Sequence, residues 1–389
     1  MQAMNNVVLV SGARTAIGAF GGALKDVPEQ DLAVVALRGA LERAGVGPEA
    51  VDELVLGTVI AAGPAAYNAR RAAMAAGIPK ERPSFAVNKL CGSGMKAAHA
   101  AWQSLTLGET RLSAAGGVEN MSRAPYLVPE ARFGKKLGPI GMVDALMGSL
   151  TCGVTDLPMG ITGENIAERY GITRREQDEF AVLSNNRAVA AQQSGRFERE
   201  IVPVPVKGGD FTRDERPQAT TLDAIEKLRP SFKKEGTITA ANASGINDGA
   251  AMLLLASEEH ARAEGLPVMA RVRGFASAGV DPAYMGLGPS SAIPMLLERF
   301  GLSLSDVGLI EVNEAFAAQF IGVQRDLNLD LERTNVNGGA VALGHPIGMS
   351  GARVMLTLAV EMQLRDVQYG IAALCIGGGQ GIACLLERP

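Results

Sequence analysis

Two glycine-rich clusters of the sequence each enclose a side chain that could take part in nucleophilic catalysis. The cluster Asn88–Gly94 contains Cys91 directly before a stretch of helical character. Unpaired backbone N–H groups and the dipole at a helix start favour a thiolate, so we predict a reactive thiol there. The cluster Gly344–Gly348 holds His345 in a loop, and histidine is the side chain best suited to activate a thiol near neutral pH.

A third cluster, Cys375–Gly381, begins with a second cysteine at the end of an apolar stretch. Cys375 could serve as a general acid or base, and the N–H groups of the following glycines could hold an oxyanion. A phosphate-binding loop is the rival interpretation, but a glycine run without Lys or Thr is weak evidence for one. The other two histidines, His99 and His260, lie in stretches that look structural or exposed.

The composition excludes several classes of protein. The 389 residues suggest two or three domains, and the 47% hydrophobic and 20% charged content is that of a globular protein. A net charge of −4 excludes the basic footprint of a nucleic-acid binder. We find no apolar run long enough to cross a membrane, no signal-peptide pattern, and no peroxisomal address at the last residues. The four cysteines show neither a CxxC pair nor metal-ligand spacing, which predicts reduced thiols, no metal and a cytoplasmic location.

The sequence repeats itself at a nearly constant distance. Leu41–Gly45 resembles Leu297–Gly301 at a separation of 256 positions, and Ser93-Gly94 resembles Ser350-Gly351 at 257. Each copy reads as alternating strands and helices, which predicts a sheet covered by helices. The elements predicted from these patterns are strands at 7–10, 54–60, 112–117, 250–255 and 371–377, and helices at 31–44, 95–107 and 174–191.

The middle of the chain does not follow the repeat. We interpret residues 119–248 as an insertion, because they combine several prolines with one long helical stretch and a turn-rich segment. Residues 1–118 together with 249–268 would form the N-terminal half, which carries Cys91. Residues 269–389 would form the C-terminal half, which carries His345 and Cys375.

Six blocks spread over nearly the whole chain resemble the thiolase family, in the order and spacing of that family. These are Val10–Thr15, Asn88–Gly94, Asn242–Gly249, Asn313–Ala317, Gly344–Gly348 with Ser350-Gly351, and Cys375–Gly381. Within the family the chain looks most similar to acetyl-CoA acetyltransferases, the acetoacetyl-CoA and short-chain 3-ketoacyl-CoA thiolases. The resemblance implies an α/β fold of duplicated βαβαβαββ halves, a layered α-β-α-β-α core and an inserted loop domain.

The resemblance also implies a role for each reactive residue. Cys91 would attack the thioester and carry the acyl group, and His345 would activate it. Cys375 would move the proton of the α-carbon or of the leaving enolate. Asn313 would hold a water that forms one oxyanion hole with His345, and the N–H groups of Cys91 and Gly377 would form the second.

The implied ligand is coenzyme A or an acyl-CoA, bound as substrate, with no tightly bound cofactor. The loop domain would bind CoA and help to build a homotetramer or dimer of dimers. By position, the residues implied in substrate binding are Leu150, Met159, Phe232, Ala243 and Ser244 for the pantetheine, Met285 and Phe316 for the acyl group, and Arg216 for the adenine.

One departure from the family pattern concerns substrate length. Acetoacetyl-CoA thiolases usually place a histidine before the Met-Gly pair, whereas this chain has Pro158, as in degradative, longer-chain thiolases. A broad or longer-chain 3-ketoacyl-CoA thiolase is therefore the alternative. Other rivals are a decarboxylating ketoacyl synthase, a Cys/His hydrolase and a non-catalytic CoA- or lipid-binding protein. The presence of Cys375 beside Cys91 and His345 speaks against all three.

Overall fold

The computed structural model describes residues 5–389 and contains one large mixed sheet of 11 strands and two small two-stranded ribbons. The strands are β1 (Val7–Thr15), β2 (Gly18–Ala19), β3 (Glu53–Gly57), β4 (Ser84–Val87), β5 (Leu112–Asn120), β6 (Tyr126–Leu127), β7 (Val143–Asp144), β8 (Ile201–Val202), β9 (Val204–Val206), β10 (Gly209–Phe211), β11 (Asn247–Ser257), β12 (Ala270–Gly279), β13 (Leu309–Val312), β14 (Tyr369–Ile376) and β15 (Gln380–Glu387).

The α-helices cover both faces of the large sheet. They are α1 (Glu29–Ala44), α2 (Asn68–Ala76), α3 (Ser93–Leu107), α4 (Ala145–Ser149), α5 (Met159–Tyr170), α6 (Arg174–Gln193), α7 (Leu222–Ile225), α8 (Glu258–Ala263), α9 (Gly288–Phe300), α10 (Ala317–Leu327), α11 (Ala340–Leu343) and α12 (Ser350–Arg365). Over residues 5–389, no helix is both long and apolar enough to span a bilayer.

The large sheet consists of two equivalent halves. Its strand order is β13-β14-β15-β12-β1-β11-β5-β3-β4, with β2 attached to β11 and β8 to β1. Outward from the β1–β12 contact, the N-terminal half continues with β11, β5 and β3. The C-terminal half continues with the equivalent strands β15, β14 and β13. The C-terminal counterpart of β4 is reduced to a single parallel bridge between Ile310 and Thr334. The duplicated α/β architecture predicted from the sequence is therefore confirmed.

Helices α3 and α12 form the central layer and bring the two halves together. Helix α3 packs on β3 and β5, α12 packs on β13 and β14, and the two helices contact each other. Small residues allow a close approach at their N-termini, because a Cβ on Gly94 would lie 2.8 Å from the carbonyl oxygen of Gly348. Helices α1 and α9 cover the outer faces, which completes the layered core. The loops before α3 and α12 consequently meet.

Strand β3 is shorter than its apolar run predicts. The sequence indicates a strand over 54–60, but the structure ends it at Gly57. The chain turns there because the backbone N–H groups of Val59 and Ile60 both donate to the buried carboxylate of Glu119, at 3.0 Å each.

The segment of residues 121–246, between β5 and β11, begins and ends at neighbouring positions of the large sheet. Asn120 and Asp248 face each other in the antiparallel β5–β11 pairing, so a long excursion is accommodated without disturbing the sheet. The excursion contains α4–α7 and the small ribbons, and its helices α5 and α6 pack on α10 of the C-terminal half.

A buried network of charges ties this segment to both halves. Arg14 of β1 pairs with Glu200 and Asp214 at 2.8 Å each. Glu200 also pairs with Arg196 at 2.8 Å, and Arg196 pairs with Glu361 of α12 at 2.6 Å. Burial alone would raise the pKa of Glu200, but the attraction of the two arginines outweighs it and holds that pKa below its usual range. Strand β1 extends to Thr15, beyond the predicted end at residue 10, because Arg14 is neutralised in this way.

We predict that Glu200→Gln lowers the free energy of unfolding by about 3–5 kcal/mol, because it leaves two arginines without a shared buried carboxylate. Glu179→Gln, which removes an exposed pairing with Arg175, is the matched control and should cost about 0.5 kcal/mol or less. Urea denaturation of both variants measures the difference. Equal stability of the two variants would contradict a stabilising role for the network.

Candidate active site

The loop before α3 presents Cys91 in a strained but well-bonded turn. Leu90 adopts a positive φ of 48°, a conformation that is costly for a residue with a side chain. The turn is held because Ser93 Oγ accepts the Lys89 N–H at 2.8 Å and donates to the Leu90 carbonyl at 2.7 Å. Leu90 N–H donates to the side chain of Asn88 at 3.0 Å. Residues with unfavourable backbone conformations of this kind cluster at functional sites.

Cys91 is half-buried and lies just before the start of α3. Burial raises its pKa above the ordinary thiol value, and the nearby charge of Glu119 adds to that effect. Hydrogen bonds from the N–H groups of Gly377 and of Cys91 itself act in the opposite direction but do not outweigh burial. Cys91 needs a base to become a nucleophile, and two N–H donors already converge on its sulfur.

His345 lies in the loop before α12, and its imidazole has a fixed orientation. Its Nδ1 lies 2.6 Å from Ser350 Oγ, and Ser350 in turn donates its hydroxyl hydrogen to the Pro346 carbonyl at 2.9 Å. This pattern assigns the hydrogen to Nδ1 and leaves the lone pair on Nε2. Burial, reinforced by the charge of Arg353, lowers the pKa of His345 to about 3. The imidazole is consequently neutral at physiological pH and able to accept a proton at Nε2.

Asn313 lies beside His345 at the end of β13. Its Nδ2 is 3.4 Å from Nε2 of His345, and its backbone N–H donates to the Ala373 carbonyl at 2.9 Å. Within the described part of the chain, its Oδ1 is buried and has no hydrogen-bond partner. A buried acceptor of this kind is normally satisfied by water or a ligand, which fits the predicted role of Asn313 in holding a water.

Cys375 ends β14 and is completely buried. Burial raises its pKa well above that of an ordinary thiol, and the neighbouring Cys91 raises it further. Cys375 therefore retains its proton at neutral pH. If it is deprotonated during turnover, the resulting thiolate is a strong base for a proton on carbon.

An apolar cavity of about 280 Å³ opens at His345. His345 lines it, together with six of the residues predicted to bind substrate, namely Leu150, Met159, Phe232, Ala243, Ser244 and Phe316. Pro158, the residue that departs from the family pattern, also lines it. The structure thus brings most of the predicted substrate residues to the one cavity that His345 lines.

Two predicted binding residues are not part of this cavity. Met285 is buried in the hydrophobic cluster that also contains Phe316, so it supports the wall rather than lining it. Arg216 lines a separate depression. Its guanidinium contacts the backbone of Gly245 and donates a hydrogen bond to the carbonyl of Val341. Neither lines the cavity in this structure.

Three supporting residues were missed as functional positions. Ser350 fixes the tautomer of His345, and Asn247 Oδ1 accepts the His345 backbone N–H at 3.1 Å. Both stand inside motifs that the sequence analysis recognised. Glu119 accepts the N–H of Gly348 at 3.0 Å and so holds the loop that carries His345. Its only sequence signal is a single acidic residue at the end of an apolar strand.

Over residues 5–389, no three His, Cys, Asp or Glu side chains are grouped to hold a metal ion. All four cysteines are free, and Cys91 is more exposed than Cys152, Cys375 and Cys384. Cys152 is buried, and burial opposes its ionisation. Hydrogen bonds from Thr155, from the N–H groups of Val154 and Thr155, and from the Gly378 N–H nevertheless lower its pKa.

Two family models match the chain in succession. The model described as "Thiolase, N-terminal domain" matches residues 7–259, and "Thiolase, C-terminal domain" matches residues 266–388. An acetyl-CoA acetyltransferase of Pseudomonas aeruginosa is 50% identical over 392 residues, covering 99% of this chain and 100% of that protein. A probable acetyl-CoA acyltransferase of Staphylococcus aureus is 48% identical, with 99% and 100% covered.

Solved structures show the same relationship in three dimensions. The acetyl-CoA acetyltransferase of Bacillus anthracis is 45% identical with a TM-score of 0.97, and 100% of both chains is covered. The human mitochondrial 3-ketoacyl-CoA thiolase in complex with CoA is 43% identical, also with a TM-score of 0.97, covering 100% of this chain and 99% of that one.

We predict that Cys91 is alkylated faster than the other cysteines in the native protein, because it is the most accessible thiol. Since burial raises its pKa, the alkylation rate should rise with pH through a midpoint above that of an ordinary thiol. Acyl-CoA should protect it. Peptide mapping after iodoacetamide treatment over a pH series measures all three effects. Faster modification of Cys152, whose pKa is lowered, would count heavily against Cys91 as nucleophile.

Proposed function

The chain belongs to the thiolase family, and on that premise we propose that it is an acyltransferase acting on 3-ketoacyl-CoA thioesters. The reaction is reversible CoA-dependent cleavage or Claisen condensation, in its simplest form two acetyl-CoA to acetoacetyl-CoA and CoA. The observation that carries the proposal is a cavity lined by Ser244 and His345, with Asn313 beside His345 and with Cys375 neighbouring Cys91.

The first half of the proposed reaction forms an acyl-enzyme. His345 Nε2 takes the proton of the Cys91 thiol, and the thiolate attacks the carbonyl carbon of the bound thioester. Two sets of donors are available for the oxyanion, the N–H groups of Cys91 and Gly377 and the pair of His345 with an Asn313-held water. Fixed donors in a buried site stabilise developing charge more than water would. The CoA thiolate leaves and takes a proton, which leaves the acyl group on Cys91.

The second half transfers the acyl group to carbon or to CoA. In condensation, Cys375 has given its proton to the departing CoA thiolate, and as thiolate it removes a proton from the α-carbon of a second acetyl-CoA. The resulting enolate attacks the acyl-Cys91 carbonyl, the bond from that carbon to the Cys91 sulfur breaks, and Cys91 recovers its proton from His345. In cleavage, Cys91 attacks the 3-keto carbon, the C2–C3 bond breaks, and the departing enolate takes the Cys375 proton. CoA then releases the acyl group. The raised pKa of Cys375 suits both tasks, because a strongly basic thiolate is needed for a weakly acidic C–H.

The proposed substrate site is the apolar cavity. Its lining suits the pantetheine arm and a short acyl chain, and Ser244 supplies a polar contact in the apolar wall. We propose that residues 119–248 act as the loop domain that binds CoA and that CoA is a substrate rather than a tightly bound cofactor.

The same segment supports a proposal of self-assembly. The stretch 126–143 exposes large apolar side chains, with Tyr126, Phe133 and Leu137 exposed by 63%, 94% and 88%. A surface of this kind usually marks a protein interface, so we propose a homotetramer or dimer of dimers built partly through it. The four free thiols fit a reducing compartment such as the cytoplasm.

The second candidate function is a broad or longer-chain 3-ketoacyl-CoA thiolase. The observation that favours it is Pro158, which lines the cavity where a polar side chain would restrict an acyl chain. A non-catalytic CoA- or lipid-binding protein is the remote alternative, and it would have no need of the ordered Ser350–His345–Asn313 chain.

We predict that the protein cleaves acetoacetyl-CoA with higher kcat/KM than longer 3-ketoacyl-CoA esters in a CoA-dependent assay across a ladder of chain lengths. Cys91→Ala, the control, should lose about 10³-fold or more in kcat and still bind CoA, because only the nucleophile is removed. A kcat/KM that increases with chain length would establish the longer-chain thiolase instead. No cleavage of any ester by the wild-type protein would overturn the thiolase activity.

A further inference from the structure

Arg216 is half-buried and differs from the buried arginines in the way its charge is compensated. Arg14, Arg196 and Arg353 each pair with a buried carboxylate. Arg216 has no carboxylate ion pair within the described residues, its Nε is buried without a hydrogen-bond partner, and burial lowers its pKa. A buried N–H without a partner has a desolvation cost, so the contacts that Arg216 makes instead are of interest.

The guanidinium of Arg216 lies directly behind the wall of the substrate cavity. A Cβ on Gly245 would collide with Nη1 of Arg216 and lie 2.6 Å from its Cζ. The backbone of Gly245 is therefore in close contact with the guanidinium plane. On the opposite side, Gly245 and its neighbour Ser244 line the cavity. We call Ser244–Gly245 the wall segment. Arg216 Nη2 donates to the carbonyl of Val341 at 3.4 Å, so the Arg216 side chain connects the wall segment with α11, which precedes His345.

The same contacts continue to the base. Asn247 Oδ1 would lie 2.8 Å from the same Gly245 Cβ, and this oxygen accepts the backbone N–H of His345 at 3.1 Å. Ser244 N–H donates to the Ala315 carbonyl at 3.0 Å, which anchors the other end of the segment. The wall segment is thus held from behind by one cation and at its end by one backbone bond.

We propose that Arg216 is a positioning residue that holds the Ser244–Gly245 wall in the conformation that binds the pantetheine arm, without touching the substrate itself. This inference rests on the proposed CoA-dependent function. The positive charge of the guanidinium interacts with the carbonyl of Val341 and with the peptide groups of the wall segment. Because Gly245 has no side chain, the guanidinium can approach its backbone closely.

The test combines binding, chemical rescue and a double-mutant cycle. Arg216→Ala should weaken CoA binding, measured by calorimetry, about tenfold, which corresponds to about 1.4 kcal/mol. Guanidinium chloride at millimolar concentration should restore most of that affinity by filling the vacated space. Arg333→Ala is the matched control, because Arg333 also has a buried Nε without a partner and donates to the Val307 carbonyl, at 2.7 Å. It should bind CoA normally and show no response to guanidinium.

Gly245→Ala gives a second route that leaves the charge in place. It should weaken CoA binding in the wild-type background, because its methyl group displaces the guanidinium, and should cost much less in the Arg216→Ala background, where that collision is gone. Unchanged CoA affinity in Arg216→Ala, an equal loss in Arg333→Ala, or strict additivity with Gly245→Ala would overturn the proposal. Failure of the wild-type protein to bind CoA at all would instead overturn the proposed function.

Discussion

The buried carboxylate of Glu119 is the interaction on which the geometry of the site depends. Its Oε2 accepts the N–H groups of Val59 and Gly348, and its Oε1 accepts that of Ile60, all at 3.0 Å. Val59 and Ile60 belong to the N-terminal half and Gly348 to the loop that carries His345. These hydrogen bonds therefore connect the His345 loop of the C-terminal half with the segment of the N-terminal half that packs near Cys91. Burial and the charge of Glu29 raise the pKa of Glu119, and the three N–H donors act against that shift.

Burial also determines the protonation states with which the chemistry begins. It raises the pKa of both Cys91 and Cys375 and lowers that of His345, so the site contains two thiols and a neutral imidazole. None of these three side chains carries a resting charge. Charge arises only when His345 accepts the Cys91 proton, and fixed N–H donors are then already in place. The low polarity that makes the free thiol unreactive is the same property that strengthens these interactions during reaction.

The sequence was sufficient for the duplicated fold and for recognising the reactive residues, for identifiable reasons. Cys91, His345 and Cys375 stand in glycine-rich surroundings that have no purpose in a packed core, and a shared offset of about 256 residues indicates duplication. The supporting contacts could not be predicted, because they join distant positions. Glu119 and Gly348 are 229 residues apart, and Arg14 finds Glu200 across 186 residues. That Arg216 and Met285 do not line the cavity could not be predicted either, because position in a sequence does not give the direction of a side chain.

The central claim is that Cys91 carries the acyl group between the two half-reactions. The most direct measurement is peptide mass mapping of the protein mixed with acetyl-CoA, quenched in acid within the first turnovers, and compared with a sample to which free CoA was added before the quench. The account predicts one acetyl group on the peptide containing Cys91, and its loss when CoA is added. Acetylation of Cys375 or Cys152 instead, or an acetyl group on Cys91 that CoA does not remove, would contradict it.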